Sequence, residues 1–108
     1  MEIESLKYAI IDAIKNKRIE WQRHSLERML ERNISRSAAI EVVLNGEIIE
    51  KYSQDKPFPC LLFLGWINKR PIHVVVSYDF LNEKIFFITA YEPGLDHFEP
   101  GFKIRRKM

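Results

Sequence analysis

The sequence has 108 residues, enough for one domain with a real core, and 46% of them are hydrophobic. Charged residues make up 30%, yet the net charge is only +2, which excludes a strongly basic nucleic-acid coat protein and still permits a locally basic cleft. One cysteine, Cys60, excludes an internal disulfide and argues against a structural zinc site.

Residues 3–17 place Ile3, Leu6, Ile10, Ala13 and Ile14 at helical spacing, with lysines near the end where they suit the dipole. "RIEW" is a short link or an edge strand. A second helix is predicted over 24–33, with Leu26, Met29 and Leu30 as its apolar stripe and His24, Arg28 and Arg32 on the opposite side. Ser35 is the expected N-cap of a third helix, "RSAAIEVVL", which ends at Asn45-Gly46, residues that tolerate the left-handed conformation. Strands are then predicted at "EIIEKYS", "CLLFLGW", "IHVVVSYD" and "KIFFITAYE", separated by "DKPFP", "NKRP" and "LNE". "CLLFLGW" reads as a strand buried on both faces, with Cys60 as a buried small hydrophobe. A Gly/Pro-marked loop, "PGLDHFEPGF", leads to the basic tail "KIRRK". Helices followed by closely connected strands argue for an α+β fold: N-terminal helices packed on a four-stranded antiparallel meander, as one domain over 1–108. No run approaches the ~20 apolar residues of a membrane span, and "MEIESLKYAII" lacks a basic leader, so a cytoplasmic protein without a membrane partner is expected.

Glycine-rich phosphate loops, CxxC pairs, HExxH and GxSxG are absent, and the three histidines lack the spacing of a metal site. What remains is a set of polar groups. Alternation puts Ile72, Val74 and Val76 on one face of their strand and His73, Val75 and Ser77 on the other. In the last strand it groups Ile85, Phe87, Thr89 and Tyr91 against Phe86, Ile88 and Ala90. A hairpin about "DFLNEK" brings His73 near Tyr91. Metal-free RNA cleavage needs a base for the 2′-hydroxyl, an acid for the departing 5′-oxygen and cations for the phosphorane. His24, His73, Tyr91, Arg28, Arg32 and Thr89 supply those types. Each also has a plain reading. The helix residues interleave with Glu27 and Glu31 as on a salt-bridged surface, His73 suits a satisfied core histidine, Tyr91 and Thr89 suit strand packing, and Trp21 suits a core anchor. The tail is a solvated terminus or a binding arm, and His97 has no evident partner.

The order of "WQRHSLERMLERNIS", "AIEVVLNGEIIEKY", "PIHVVVSYD" and "IFFITAYEP" resembles the DUF4258 family over about residues 20–106, leaving the first helix (1–17) outside. The family looks related to the RelE-like toxins of toxin–antitoxin pairs. That resemblance implies a RelE/barnase-like fold and a cytoplasmic, metal-independent endoribonuclease, a hydrolase needing no cofactor. It would cleave RNA and be held by an antitoxin, possibly of zinc-finger type, with self-association left open. The alternatives are a toxin-fold protein that inhibits a protein target without cutting, or a non-catalytic interaction domain. Carried over by position, His24, His73 and Tyr91 become catalytic, and Arg28, Arg32 and Thr89 substrate-binding. Arg32 also matches a structural role. Which histidine is acid and which base stays open.

Overall fold

The computed structural model describes residues 2–52 and 57–107. Helix α1 (Ile3–Lys15) turns Leu6, Ile10, Ala13 and Ile14 inward as a single helical stripe. After the short strand β1 (Ile19–Trp21) come α2 (Arg23–Glu31) and α3 (Arg36–Asn45). Ser35 caps α3 as expected, its hydroxyl accepting from the Ala38 N–H at 3.0 Å. Strands β2 (Glu47–Tyr52), β3 (Cys60–Ile67), β4 (Arg70–Asp79) and β5 (Lys84–Tyr91) complete the elements. Ser53 of the predicted "EIIEKYS" strand, and Asp55 and Lys56 of "DKPFP", lie outside the described residues. No described helix is long and apolar enough to cross a membrane.

β2, β3, β4 and β5 form the expected antiparallel meander. The sheet nevertheless has a fifth member, so the four-stranded antiparallel expectation is corrected to a five-stranded mixed sheet in the order β1-β5-β4-β3-β2. β1 runs parallel to β5, with Ile19 opposite Ile85 and Trp21 opposite Phe87. Three residues are too few to show a period, and a pairing between opposite ends of the chain leaves no local signal. Trp21 stacks on Phe87 with centroids 4.2 Å apart, so it anchors the core.

All three helices pack on one face of the sheet, against Leu61, Phe63, Ile72, Val74, Val76, Ile85, Phe87 and Ala90. Two expectations change here. In β5 the register shifts between Val75 and Val76 of its partner, leaving Ile88 as the extra residue of a bulge. Ile85 and Phe87 therefore share the core face with Ala90, while Phe86 falls with Thr89 and Tyr91 on the far face, against simple alternation. In α2 the buried positions are Ser25 and Met29, and Leu30 is 81% exposed. Ser25 displaces the expected stripe because its hydroxyl donates to the Ile88 carbonyl of the bulge at 2.5 Å.

The β3–β4 hairpin turns on Asn68 and Lys69, both with positive φ, as a two-residue primed turn demands. Gly46, read from sequence as a left-handed cap, has φ −84° instead. It is needed for space, because a Cβ there would overlap the backbone oxygens of Leu64 and Val42. Gly65 serves the same end in β3, where a Cβ would lie 2.9 Å from Val42 Cγ2 and 3.0 Å from its Cα. Gly65→Ala should therefore push α3 off the sheet and lower stability by about 1–3 kcal/mol in urea denaturation. An unchanged midpoint would contradict this packing.

Candidate active site

The far face of the sheet carries Glu50, Tyr52, Leu62, Leu64, His73, Thr89 and Tyr91 by register. Residues 94–107 fold back across part of it, closed on themselves by an isolated bridge between Phe98 and Arg105. Leu62 and Leu64 are buried there, so β3 is covered on both faces as its apolar run implied; Cys60 at its start is only half-buried.

His73 and Tyr91, expected only to lie near each other, are direct cross-strand partners. His73 is 0% exposed. Its Nε2 lies 2.8 Å from the Phe102 carbonyl oxygen, which can only accept, so Nε2 carries the proton. Nδ1 is then the acceptor for the Tyr91 hydroxyl at 3.3 Å. The Phe98 ring stands edge-on to the imidazole at 4.6 Å. Burial holds the His73 pKa below its ordinary value of 6.5, against the opposing pull of the Phe102 carbonyl and of Glu50, with Arg105 adding to the lowering. Between the lowered value and 6.5 the unfolded chain binds more protons than the folded one, so stability rises with pH through that window and falls on acidification. Thermal unfolding between about pH 5 and pH 7.5 should show this slope in the wild type and a shallower one in His73→Gln. Equal slopes would contradict it.

Burial pushes the Tyr91 phenol up, so it is protonated at neutral pH, while Arg105 and Arg32 pull the other way. Arg32 reaches this face because α2 ends beside β5, past the end of β1. Its guanidinium donates to the Ala90 carbonyl at 2.9 Å and to Thr89 Oγ1 at 3.3 Å. Arg70 fixes that helix end, donating to the carbonyls of Arg32 at 2.6 Å and Asn33 at 2.9 Å while pairing with Glu92.

The structure thus joins His73 to Tyr91 and Arg32 to Thr89, and sets the two pairs side by side. It does not gather His24 and Arg28 with them. Both are exposed on α2, Arg28 faces Glu31 at 3.8 Å, and among the described residues no hydrogen bond or ion pair links His24 to His73 or Tyr91. His97 is exposed and lies 3.4 Å from Asp96.

Three further residues belong to the site and escaped the sequence reading. Arg105 forks onto Glu50 at 2.7 and 3.0 Å and donates to the Tyr52 hydroxyl at 3.1 Å. Tyr52 in turn donates to Glu50. The basic tail is therefore exposed, as a solvated terminus would be, but not a free arm, since Lys103 and Arg105 are paired. Lys103 also meets Glu47 at 2.8 Å, and spacing gave no signal of either pair, since the two glutamates lie three residues apart and the two cations two. Beside this group a hollow of about 440 Å³ is lined by Tyr91, Glu92, His97, Phe98 and Arg105 among others. Among the described residues no three His, Cys, Asp or Glu side chains converge as a metal site.

A family model described as a domain of unknown function, DUF4258, matches residues 21–92, a shorter span than the 20–106 of the sequence resemblance. No curated protein and no solved structure matches the chain.

Proposed function

Since the chain belongs to the DUF4258 family, whose function is unknown, its chemistry rests on its own side chains, and we propose a metal-independent endoribonuclease of the RelE-like toxin type. The observation that carries this reading is that Tyr91 and the Arg105 guanidinium line one hollow, with Arg32 held on Thr89 and the Ala90 carbonyl of the same strand end. Arginine forks suit phosphate oxygens, and a phosphorane gains most from cations fixed in advance.

In this reading RNA lies across the far face of the sheet. Arg32, Arg105 and the Thr89 hydroxyl hold the scissile phosphate. Glu50 takes the 2′-hydroxyl proton once Arg105 turns from it to the phosphate. Tyr91 turns its single proton from His73 Nδ1 to the departing 5′-oxygen, leaving a phenolate beside the Arg105 guanidinium that lines the same hollow. His73 touches no RNA; it is a positioning residue that orients Tyr91 through Nδ1. His24 lies eight residues from Arg32, about 12 Å along the helix axis, so with Arg28 it meets neighbouring nucleotides and not the same phosphate. An antitoxin, in this reading, restrains the protein by bringing acidic groups to the same arginines.

Purified protein incubated with RNA in excess EDTA tests this: cleavage with products ending in 2′,3′-cyclic phosphate is expected, and RNA left intact at micromolar protein contradicts it. A second reading, a fold that binds a protein target without cutting, is favoured by one fact: His73 has no exposed surface and both ring nitrogens are engaged. A folded Arg32→Ala/Tyr91→Phe variant that stays fully toxic to cells would favour that reading.

A further inference from the structure

Residues 94–107 close their backbone hydrogen bonds on themselves: Glu99 N–H to Ile104 O at 2.8 Å, Phe102 N–H to Glu99 O at 2.9 Å and Arg106 N–H to His97 O at 2.9 Å. Among the described residues no backbone hydrogen bond joins this segment to the sheet. Its attachments run through side chains, apart from the His73 bond to the Phe102 carbonyl. They are Lys103 on Glu47 at 2.8 Å, Arg105 on Glu50 at 2.7 Å and the edge contacts of Phe98 with His73 and of Phe102 with Trp66. Phe102, the residue that seals His73, has φ +63°, a left-handed conformation that is strained for a bulky side chain. The segment also lies beyond the family-matched region, whereas Glu50, Tyr52, His73 and Tyr91 lie within it.

A unit that is internally bonded, tied down by two ion pairs and the buried Phe98 ring, and strained at its sealing residue can leave without breaking the sheet. We propose that residues 94–107 form an autoinhibitory strap that lifts off the far face as a unit when a polyanion takes Lys103 and Arg105 from Glu47 and Glu50. Lifting uncovers the His73–Tyr91 pair. What the strap guards rests on the nuclease reading; that it lifts does not. Phosphate groups of RNA are the chemistry that competes with the two glutamates, and Arg105, still on the strap, exchanges Glu50 for a phosphate as the segment lifts.

The test is carbethoxylation of the full chain by diethyl pyrocarbonate, read at each histidine by mass spectrometry, with exposed His24 and His97 as internal references. At about 10 mM salt His73 should label far more slowly than either. Raising the salt to about 500 mM screens the ion pairs and should increase the His73 rate relative to His24 by about tenfold, as should Lys103→Ala/Arg105→Ala at low salt. Should the double variant fail to fold, the salt series on the wild type decides alone. A flat His73 ratio across salt, or His73 labelling as fast as His24 from the start, overturns the strap. His73 uncovered by salt while RNA stays intact under every condition sinks the nuclease reading and leaves the strap standing. Cleavage with His73 protected throughout does the reverse.

Discussion

Replacing His73 with alanine is expected to lower stability by about 3–5 kcal/mol, the largest loss among the polar positions of this protein. Two effects add. The imidazole fills a fully buried position between Phe98 and Tyr91, and its removal leaves a cavity. The Phe102 carbonyl and the Tyr91 hydroxyl each lose a partner, and a buried polar group without one carries its full desolvation cost. His73→Gln separates these effects. Its amide nitrogen can reach the Nε2 position and donate to Phe102, while acceptance from Tyr91 is lost, so about half the destabilisation should return. Urea denaturation of the three proteins measures both values. An alanine variant within about 0.5 kcal/mol of wild type would mean that His73 is not sealed as described.

Tyr91→Phe is expected to reduce RNA cleavage by about 100-fold or more and to lower stability by about 1–2 kcal/mol, because it removes the proton donor and leaves Nδ1 of buried His73 without its partner. Its ring still packs at 5.3 Å from His73, and the hydrogen bond it gives up is long, 3.3 Å. Arg32→Ala should fall by a similar factor, with Arg32→Lys recovering only part because a point charge cannot fork onto two oxygens. His24→Ala, by contrast, should change the rate by no more than about tenfold, acting on RNA binding and not on the chemical step. Single-turnover rates at saturating RNA distinguish these cases. A Tyr91→Phe enzyme at wild-type rate, or a His24→Ala enzyme slowed as much as Tyr91→Phe is expected to be, would reassign the proton donor.

How far the sequence carried this reading depends on how local each feature is. The His73–Tyr91 pair was legible only as a neighbourhood: equal counts outward from the turn, where Asp79 accepts from the N–H groups of Leu81 and Asn82, set Ala90 opposite His73, and the bulge at Ile88 moves Tyr91 into that place. The three helices and the antiparallel meander were legible from caps and periods. Arg32 and Thr89 could be nominated but not joined, since Thr89 reaches its face only through the bulge at Ile88, and a single inserted residue leaves no mark on composition. The parallel partner of β5 was hidden by the shortness of β1. Glu50, Tyr52 and Arg105 were missed for a different reason. A basic terminus reads as solvated until the fold brings two carboxylates under it, and that meeting spans more than half the chain.

The most direct test of the central claim, that one phosphate-binding strip lies on the face away from the helices, is an amide chemical-shift titration of the protein with a short 2′-O-methyl RNA that cannot be cut. Perturbations centred on Arg32, Thr89 and Tyr91, with those of residues 98–106 following as the strap responds, are the expected result. Shifts confined to α1 and the outer side of α3, or none at millimolar RNA, would contradict it.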